Sequence, residues 1–559
     1  MEFVLLIATG LIAIVVILHH AHKRANQKKL AQIRSNWGKP KKQSFDFDYI
    51  ERFADVTSNN SYHRLTEQTK QDIDFNSVFM FVDRTTSSVG QQILYKTLTE
   101  PSVGTSPEQE KLIELFSDNK SLRESMQLLL LRLNNVAAYS ISNLLKESLL
   151  IKPKWFWLLK LNLLAIAVCS SLSLWYDVFI VALIFPLTIN AFVHYWNKSN
   201  TFQFSRSFPQ LNNLVEVAKL ILKSDAVFFD SNVDGGIREL SPFQRKLLLI
   251  RLNAESDIQG ELSQLGTYVT ELFKAFLLVE VFTLHRIVKE LEGKKISIRI
   301  LMEFVGKIDS TLSIASLRAG SYKTCIPKFL CKARELDIKQ AYHPLIENCT
   351  KNDFSIRGKS VLITGSNMSG KSTFLRTMAI NSILAQTIGT CFADEFSTPK
   401  LKQFTSIRIN DNLVDGKSYY LEEVNVMSVL LEQAMLEPQN LFILDEVFKG
   451  TNTMERIAAG KAILSFLNQQ HHIVLVSTHD VELAEMLKDE YALFHFTEVV
   501  ENNKLTFDHQ LKQGPLTTRN AIKILELSGY PTKLTNEAKL IYTGLSKSVS
   551  VKAGAKAQT

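Results

Sequence analysis

One nine-residue run limits this chain more than any other: Gly365-Ser-Asn-Met-Ser-Gly370-Lys371-Ser372-Thr373. A short apolar strand, Lys359-Ser-Val-Leu-Ile-Thr364, leads into it, and helix formers such as Leu375, Arg376, Met378 and Ala379 follow. Strand, GxxxxGK[ST] loop and helix in that order make a P-loop, a cradle for phosphate groups. Each residue type has a physical role. Gly365 and Gly370 let the backbone turn tightly, so that successive N–H groups face the phosphates. The helix N-terminus adds about half a positive charge there. Lys371 reaches the β- and γ-phosphates, and Ser372 offers an oxygen to Mg²⁺. The expected ATP-binding set is Gly365, Ser366, Asn367, Met368, Ser369, Gly370, Lys371, Ser372 and Thr373, with the Met368 side chain read as packing.

A P-loop needs a carboxylate on a neighbouring strand. Asn440-Leu-Phe-Ile-Leu-Asp445-Glu446 supplies one, because its apolar run reads as a buried parallel strand. Asp445 is placed to hold Mg²⁺ together with Ser372, and Glu446 to polarise the attacking water. A third strand, His472-Ile-Val-Leu-Val-Ser-Thr478, ends at His479. That histidine reads as a γ-phosphate sensor or water orienter; a histidine that merely caps the strand end is the alternative.

Composition adds bounds. At roughly 150 residues per domain, 559 residues allow three or four structural units. With 22 Gly, 13 Pro and 5 Cys, collagen, low-complexity and disulfide-scaffold classes are excluded. No two cysteines are spaced as CxxC, so a zinc ribbon is not expected and the thiols read as reduced. A net charge of +8 fits an anionic partner, nucleic acid or lipid, without choosing between them. The mean hydropathy of +0.02 is high for a wholly soluble chain of ordinary charge.

Three segments read as membrane spans. Phe3 to Leu18 carries no charge, and as a helix it would be about 24 Å long against a hydrocarbon core of roughly 30 Å. Glu2 precedes it; Lys23, Arg24, Lys28, Lys29, Arg34, Lys39, Lys41 and Lys42 follow. This order opposes a cleaved signal peptide and favours an uncleaved anchor with its N-terminus outside. A second apolar block, Trp155 to Trp196, divides at Trp175-Tyr176-Asp177 into halves of about 20 residues each, flanked by Lys152, Lys154 and Lys198. A buried hairpin of a soluble domain is the alternative, kept open by Lys160, Asn162, Pro186 and Asn190. The basic linker suits anionic lipid headgroups. Three spans predict a multi-pass protein of the cell (inner or plasma) membrane, with its nucleotide domain in the cytoplasm.

At its phosphate motifs the chain resembles the ATPase domain of the MutS mismatch-repair family. The matching runs are Thr364 to Thr373, Leu444-Asp-Glu-Val-Phe-Lys-Gly-Thr-Asn-Thr453 and Ser477-Thr-His479. Between them, Asp411-Asn-Leu413 and Gly416-Lys-Ser-Tyr-Tyr-Leu-Glu-Glu423 are similar to the family's signature segment, in which a Ser and a Glu flank an aromatic. The resemblance implies a homodimer in which this segment crosses to the partner's nucleotide. Ser418 then acts in trans on the γ-phosphate, and Glu423 belongs to the same trans signature. Asn367 matches the family's loop Asn; His343-Pro-Leu345 and Asn352-Asp353-Phe354 match its lead-in; Gly514 to Gly529 with Tyr530-Pro531 looks like its helical tail. More weakly, Leu65 to Pro101 resembles the start of the family's lever.

The expected fold is therefore an α/β P-loop NTPase domain of the ABC/MutS type, preceded by a mainly α-helical lever or core with transmembrane helices. The expected organisation is an anchor over 1–19, a basic linker over 20–45 and a first helical part over 46–154. A membrane hairpin over 155–196, a second helical part over 197–338, the ATPase with its tail over 339–545 and a disordered end over 546–559 follow. Departures are also expected. Ser366 replaces the usual loop Pro, and the first 45 residues leave no room for the mismatch-reading domain, which wedges a Phe from a Phe-x-Glu motif between bases. The one such triplet, Phe496-Thr-Glu498, lies downstream, on an expected strand. The implied function is ATP hydrolysis with Mg²⁺ coupled to DNA binding. The alternatives are a membrane transport or remodelling ATPase, disfavoured by the lack of an LSGGQ-type run, and a nucleotide-switched membrane scaffold.

Overall fold

The computed structural model describes residues 20–21, 23–57, 62–102, 104–146, 154–251, 272, 275–332, 334–366, 368–408, 419–436, 439–501, 504–516, 521–527 and 529–542. The chain divides into two compact units: Met1–Ser61 with Val82–Thr97 and Ser106–Ser321, and Tyr62–Phe81 with Leu98–Thr105 and Tyr322–Thr559.

The first unit is helical. Ser106 accepts from the Gln109 N–H and Pro107 stands in the first turn, so the chain enters the helix Pro107–Asp118 fully capped. Asn119 caps the next helix, Lys120–Leu130, through the Leu122 N–H. The helix Lys295–Arg318 is buried along most of its length and forms the spine. Its Asp309 carboxylate accepts from the Thr86 N–H (2.8 Å), the Ser87 N–H (2.7 Å) and the Ser87 hydroxyl (2.6 Å). Those groups stand at the start of the helix Ser88–Thr99. Complete burial pushes the Asp309 carboxyl up to about 6. The same unit holds the apolar hairpin, with arms Phe156–Leu172 and 178–196.

Here the structure corrects the expected count of membrane spans. Among the described residues one helix, Val178–Trp196, is long and apolar enough to cross a membrane; the first arm stops at Leu172, after 17 residues. The cause is local: the chain leaves the helix at Ser173, two residues ahead of the Trp175-Tyr176-Asp177 break. The segment 1–19 lies outside the described residues. Nor is the hairpin a buried core element, because only 22% of the 178–196 window is covered by protein.

The second unit is α/β. Its strands are β1 (Lys328–Phe329), β2 (Glu335–Ala341), β3 (Asn352–Arg357), β4 (Ser360–Thr364), β5 (Glu395–Thr398), β6 (Lys402–Ser406), β7 (Asn440–Asp445), β8 (Ile473–Thr478), β9 (Tyr491–His495), β10 (Glu498–Glu501), β11 (Lys504–Phe507) and β12 (Lys512–Gln513). Six of them form a sheet in the order β12-β9-β4-β8-β7-β6, parallel except for the edge strand β12. β4, β7 and β8 are buried at every position, which is why their sequences run apolar without alternation. A four-stranded sheet, β1-β5-β2-β3, and the ribbon β10-β11 complete the strands. This unit also contains the early helix Glu67–Asp72, whose sequence had placed it with the helical core.

Candidate nucleotide site

The site lies at the C-terminal ends of β4, β7 and β8. β4 delivers the chain to Gly365, whose φ of +152° and close neighbours admit only glycine: an added Cβ would sit 2.9 Å from the Phe496 carbonyl. Gly370 has a φ of +113° and opens the helix Lys371–Ile388. The Lys371 ammonium, buried in the loop's concavity, donates to the carbonyls of Gly365 (2.7 Å) and Ser366 (2.9 Å). Burial pulls its pKa down, while Glu446 and Asp445 hold it up. Ser369 is buried and donates to the Ser366 carbonyl (2.8 Å); Met368, with φ +77°, projects outward and lines the cleft. Thr373 also lines it; Asn367 lies outside the described residues.

Asp445 ends β7 and joins two elements. Its Oδ2 accepts from the Ser372 hydroxyl at 2.5 Å, and its Oδ1 from the Ser477 hydroxyl on β8. Glu446 follows in a left-handed turn (φ +63°), and its N–H donates to the Ser477 carbonyl (3.0 Å). Glu446 Oε1 lies 3.1 Å from His479 Nδ1, and Lys449 Nζ lies 3.6 Å from the other oxygen. Arg456 makes a two-pronged pair with Asp480, beside His479, at 2.9 and 2.8 Å. The structure thus brings together Lys371, Ser372, Asp445, Glu446 and His479.

Two expected site residues end differently. Ser418 lies outside the described residues. Glu423 turns into its own chain: it is 3% exposed, and its two oxygens accept the N–H groups of Lys449 (2.8 Å) and Gly450 (2.9 Å).

Sequence reasoning named Asn352 and Glu498 for other reasons and missed how they and His509 hold the loop. The Ser366 hydroxyl donates to Glu498 Oε2 at 2.9 Å. His509 Nδ1 is 3.0 Å from the Ser369 carbonyl, and Asn352 anchors that segment by bonding the His509 carbonyl (3.1 Å) and the Leu511 N–H (2.7 Å). No local motif announces these contacts. Phe496, from the Phe-x-Glu triplet, is 1% exposed, and its N–H donates to the Thr364 carbonyl at 2.9 Å. It is a floor for the loop, not a wedge for bases.

The resulting cleft, about 710 Å³, has Lys371, Ser372, Asp445 and Glu446 at one side and Ala341, Ile346 and Cys349 elsewhere on its wall. Near it, burial and the charge of Arg376 push the His343 imidazole down to about 4, so it is neutral at physiological pH.

A glycine loop opening a helix, a buried lysine beneath it and strand-end carboxylates beside it define an ATPase-type α/β domain. Residues 361–546 match the family described as MutS domain V. The DNA mismatch repair protein MutS of Thermus thermophilus is 30% identical over 261 residues, 46% of this chain and 31% of that protein. Its namesake from Listeria monocytogenes serotype 4a is 32% identical over 314 residues, 54% of this chain and 36% of that protein. That from Shouchella clausii is 29% identical over 315 residues, with shares of 54% and 36%. The chain therefore matches about a third of the length of these curated relatives. Residues 361–546 thus match MutS domain V, and over roughly half of its own length the chain is similar to MutS proteins.

Proposed function

We propose that this chain is a membrane-anchored MutS-like ATPase that binds and hydrolyses ATP at a composite homodimer interface and couples turnover to DNA. The observation that carries the reading is the Ser372–Asp445–Ser477 link, with Glu446 and His479 side by side next to it. Loop N–H groups and Lys371 bind the phosphates. Ser372 and Asp445 present two hard oxygens at one point, a donor set that fits Mg²⁺. When bound, that ion neutralises phosphate charge. Glu446 orients and polarises the water, and His479 steadies the Glu446 carboxylate through its Nδ1 contact. Ser418 completes the partner's site.

The DNA reading is supported by the relatives' name, DNA mismatch repair protein, and by the net charge of +8. Anchoring is supported by the uncovered apolar hairpin and by the basic residues that follow residue 19. It would place the chain in the cell membrane with the nucleotide unit in the cytoplasm. The test is the ATPase rate of the purified chain with and without duplex, mismatched and branched DNA, at two salt concentrations. Stimulation that weakens steeply with salt is expected. Glu446→Gln should trap a nucleotide-bound dimer; ordinary turnover by that variant removes the assignment. The uncovered hairpin also favours a second reading, a transport or membrane-remodelling ATPase, which turnover in liposomes indifferent to DNA would select.

A further inference from the structure

We infer that Glu423 is a positioning residue that acts within its own chain, tying the signature helix to the turn that carries Glu446. The inference rests on the ATPase reading above and adds a route by which engagement of one subunit's signature segment sets that same subunit's catalytic carboxylate.

The helix Tyr419–Leu436 begins one residue after Ser418. Glu423 is on its second turn. A residue that reached across to a partner would need an outward carboxylate; this one is buried and has both oxygens in use, on the N–H groups of Lys449 and Gly450. Those two amides stand three and four residues after Glu446. The turn between them is one that the backbone resists, since Glu446 and Phe448 both adopt left-handed φ values, +63° and +60°. Such a turn persists only where its surroundings over-determine it. On one side the Glu446 N–H is held by the Ser477 carbonyl at 3.0 Å, and on the other the Glu423 carboxylate holds the chain. A second tie runs in parallel: the Tyr420 and Phe448 rings meet edge to face with centroids 5.8 Å apart. Below them Met427 and Leu430 of the helix share one apolar core with Val447 and Phe448 of the turn. Helix and turn are therefore built to shift as one body.

The substitution that separates positioning from bulk stability is Glu423→Gln, nearly the same in shape. Its single carbonyl oxygen can accept one of the two amides, and its NH₂ group faces the other donor. Glu423→Asp keeps both oxygens but draws them back by one methylene. The experiment uses the full chain in detergent, with magnesium and ATP. In Glu423→Gln, nucleotide affinity should stay within about twofold and kcat should fall by roughly 10- to 100-fold, as expected when a reacting group is misplaced. Glu423→Asp should recover part of kcat without changing KM. Amide hydrogen exchange supplies an arm that needs no turnover. Residues 446–450 should exchange faster in Glu423→Gln while the helix Lys371–Ile388 stays unchanged, and protection of 446–450 on adding ATP should be lost. Native kcat, equal loss of binding and turnover, or unaltered exchange at 446–450 overturns the inference. A wild-type chain without turnover would sink the ATPase reading, and the exchange arm would still decide the role of Glu423.

Discussion

Removing the Asp72 carboxylate should loosen the end of β6 before it disturbs anything else in the nucleotide unit. Asp72 closes the short helix Glu67–Asp72 and is fully buried. Its Oδ2 accepts from the Thr405 hydroxyl (2.6 Å) and the Ile407 N–H (3.0 Å), its Oδ1 from the Arg408 N–H (2.7 Å) and the Gln68 amide (3.1 Å). Arg376, from the P-loop helix, donates to the Asp72 carbonyl at 2.9 Å. Alanine strips the acceptor from two backbone N–H groups and a hydroxyl. At about 1–3 kcal/mol for each group left unsatisfied, and less at Arg408 where water has partial access, the cost is roughly 3–5 kcal/mol. Burial also raises the Asp72 carboxyl pKa, so deleting the charge recovers some of the desolvation cost and pulls the figure toward the lower end. Asparagine keeps one oxygen and turns an NH₂ toward the remaining donors, for about 2 kcal/mol. Amide hydrogen exchange over 402–408 reads the effect directly, since each 1.4 kcal/mol is about tenfold in an equilibrium constant. Asp72→Ala should speed exchange there by a little over a hundredfold and Asp72→Asn by about 30-fold. Wild-type protection in Asp72→Ala, or equal effects from the two substitutions, would refute the reasoning.

Other perturbations follow from the same geometry. Lys371→Ala removes a buried ammonium with its charge-assisted bonds, and ATP affinity should drop by roughly 10- to 100-fold in an equilibrium binding measurement. In Gly365→Ala the new methyl would lie 2.9 Å from the Phe496 carbonyl at a φ of +152°, so nucleotide binding should fail while circular dichroism shows helix and sheet retained. Asp309 titrates near 6 when folded, above its ordinary range, so protonation favours the folded state. Stability of the helical unit should be greatest below about pH 4 with respect to this group and should fall as pH rises through 6, by about 3 kcal/mol in all. Asp309→Asn should flatten that slope between pH 4 and 7 in chemical denaturation.

What the sequence disclosed, and what it hid, divides along a physical line. Lys371, Ser372, Asp445, Glu446 and His479 were legible because a phosphate site on a parallel sheet forces glycine, cation and carboxylate to strand ends, where a buried apolar run marks the spot. Glu498 and His509 hold the same loop, and Asn352 holds His509; none of these roles was legible, since the side chains come from the ribbon, the segment beyond it and β3 and two of the three bond main-chain groups that any sequence supplies. Glu423 was marked by a resemblance alone, and its bonds to Lys449 and Gly450 of its own chain were not legible, because burial is not written in a local motif. The helix Glu67–Asp72 was assigned to the lever by its neighbours in sequence, whereas the Asp72 carboxylate commits it to β6.

The apolar hairpin inverts the usual arrangement of a soluble helix pair, and this bears on the proposed anchoring. Two of its amides pair between the arms, whereas Lys160, Ser170 and Thr188 are exposed. Asn162 donates to the Pro186 carbonyl (2.9 Å) and to Asn190 Oδ1 (2.7 Å), and Asn190 in turn bonds the Phe276 carbonyl. Trp157, Leu174, Trp175, Phe185 and Phe192 face outward instead, each more than half exposed. In water that surface would cost about 25 cal/mol per Å² of apolar area, and contiguous patches of this kind are uncommon on soluble monomers. In lipid the preference reverses: apolar side chains meet hydrocarbon and amides pair across the helix interface. Of the four residues that keep a soluble hairpin open at the level of sequence, Asn162, Pro186 and Asn190 join in a pairing that suits a bilayer, and Lys160 stays exposed. Trp155 and Trp196, with ring centroids 5.6 Å apart, stand at the hairpin's open end, where interfacial aromatics belong.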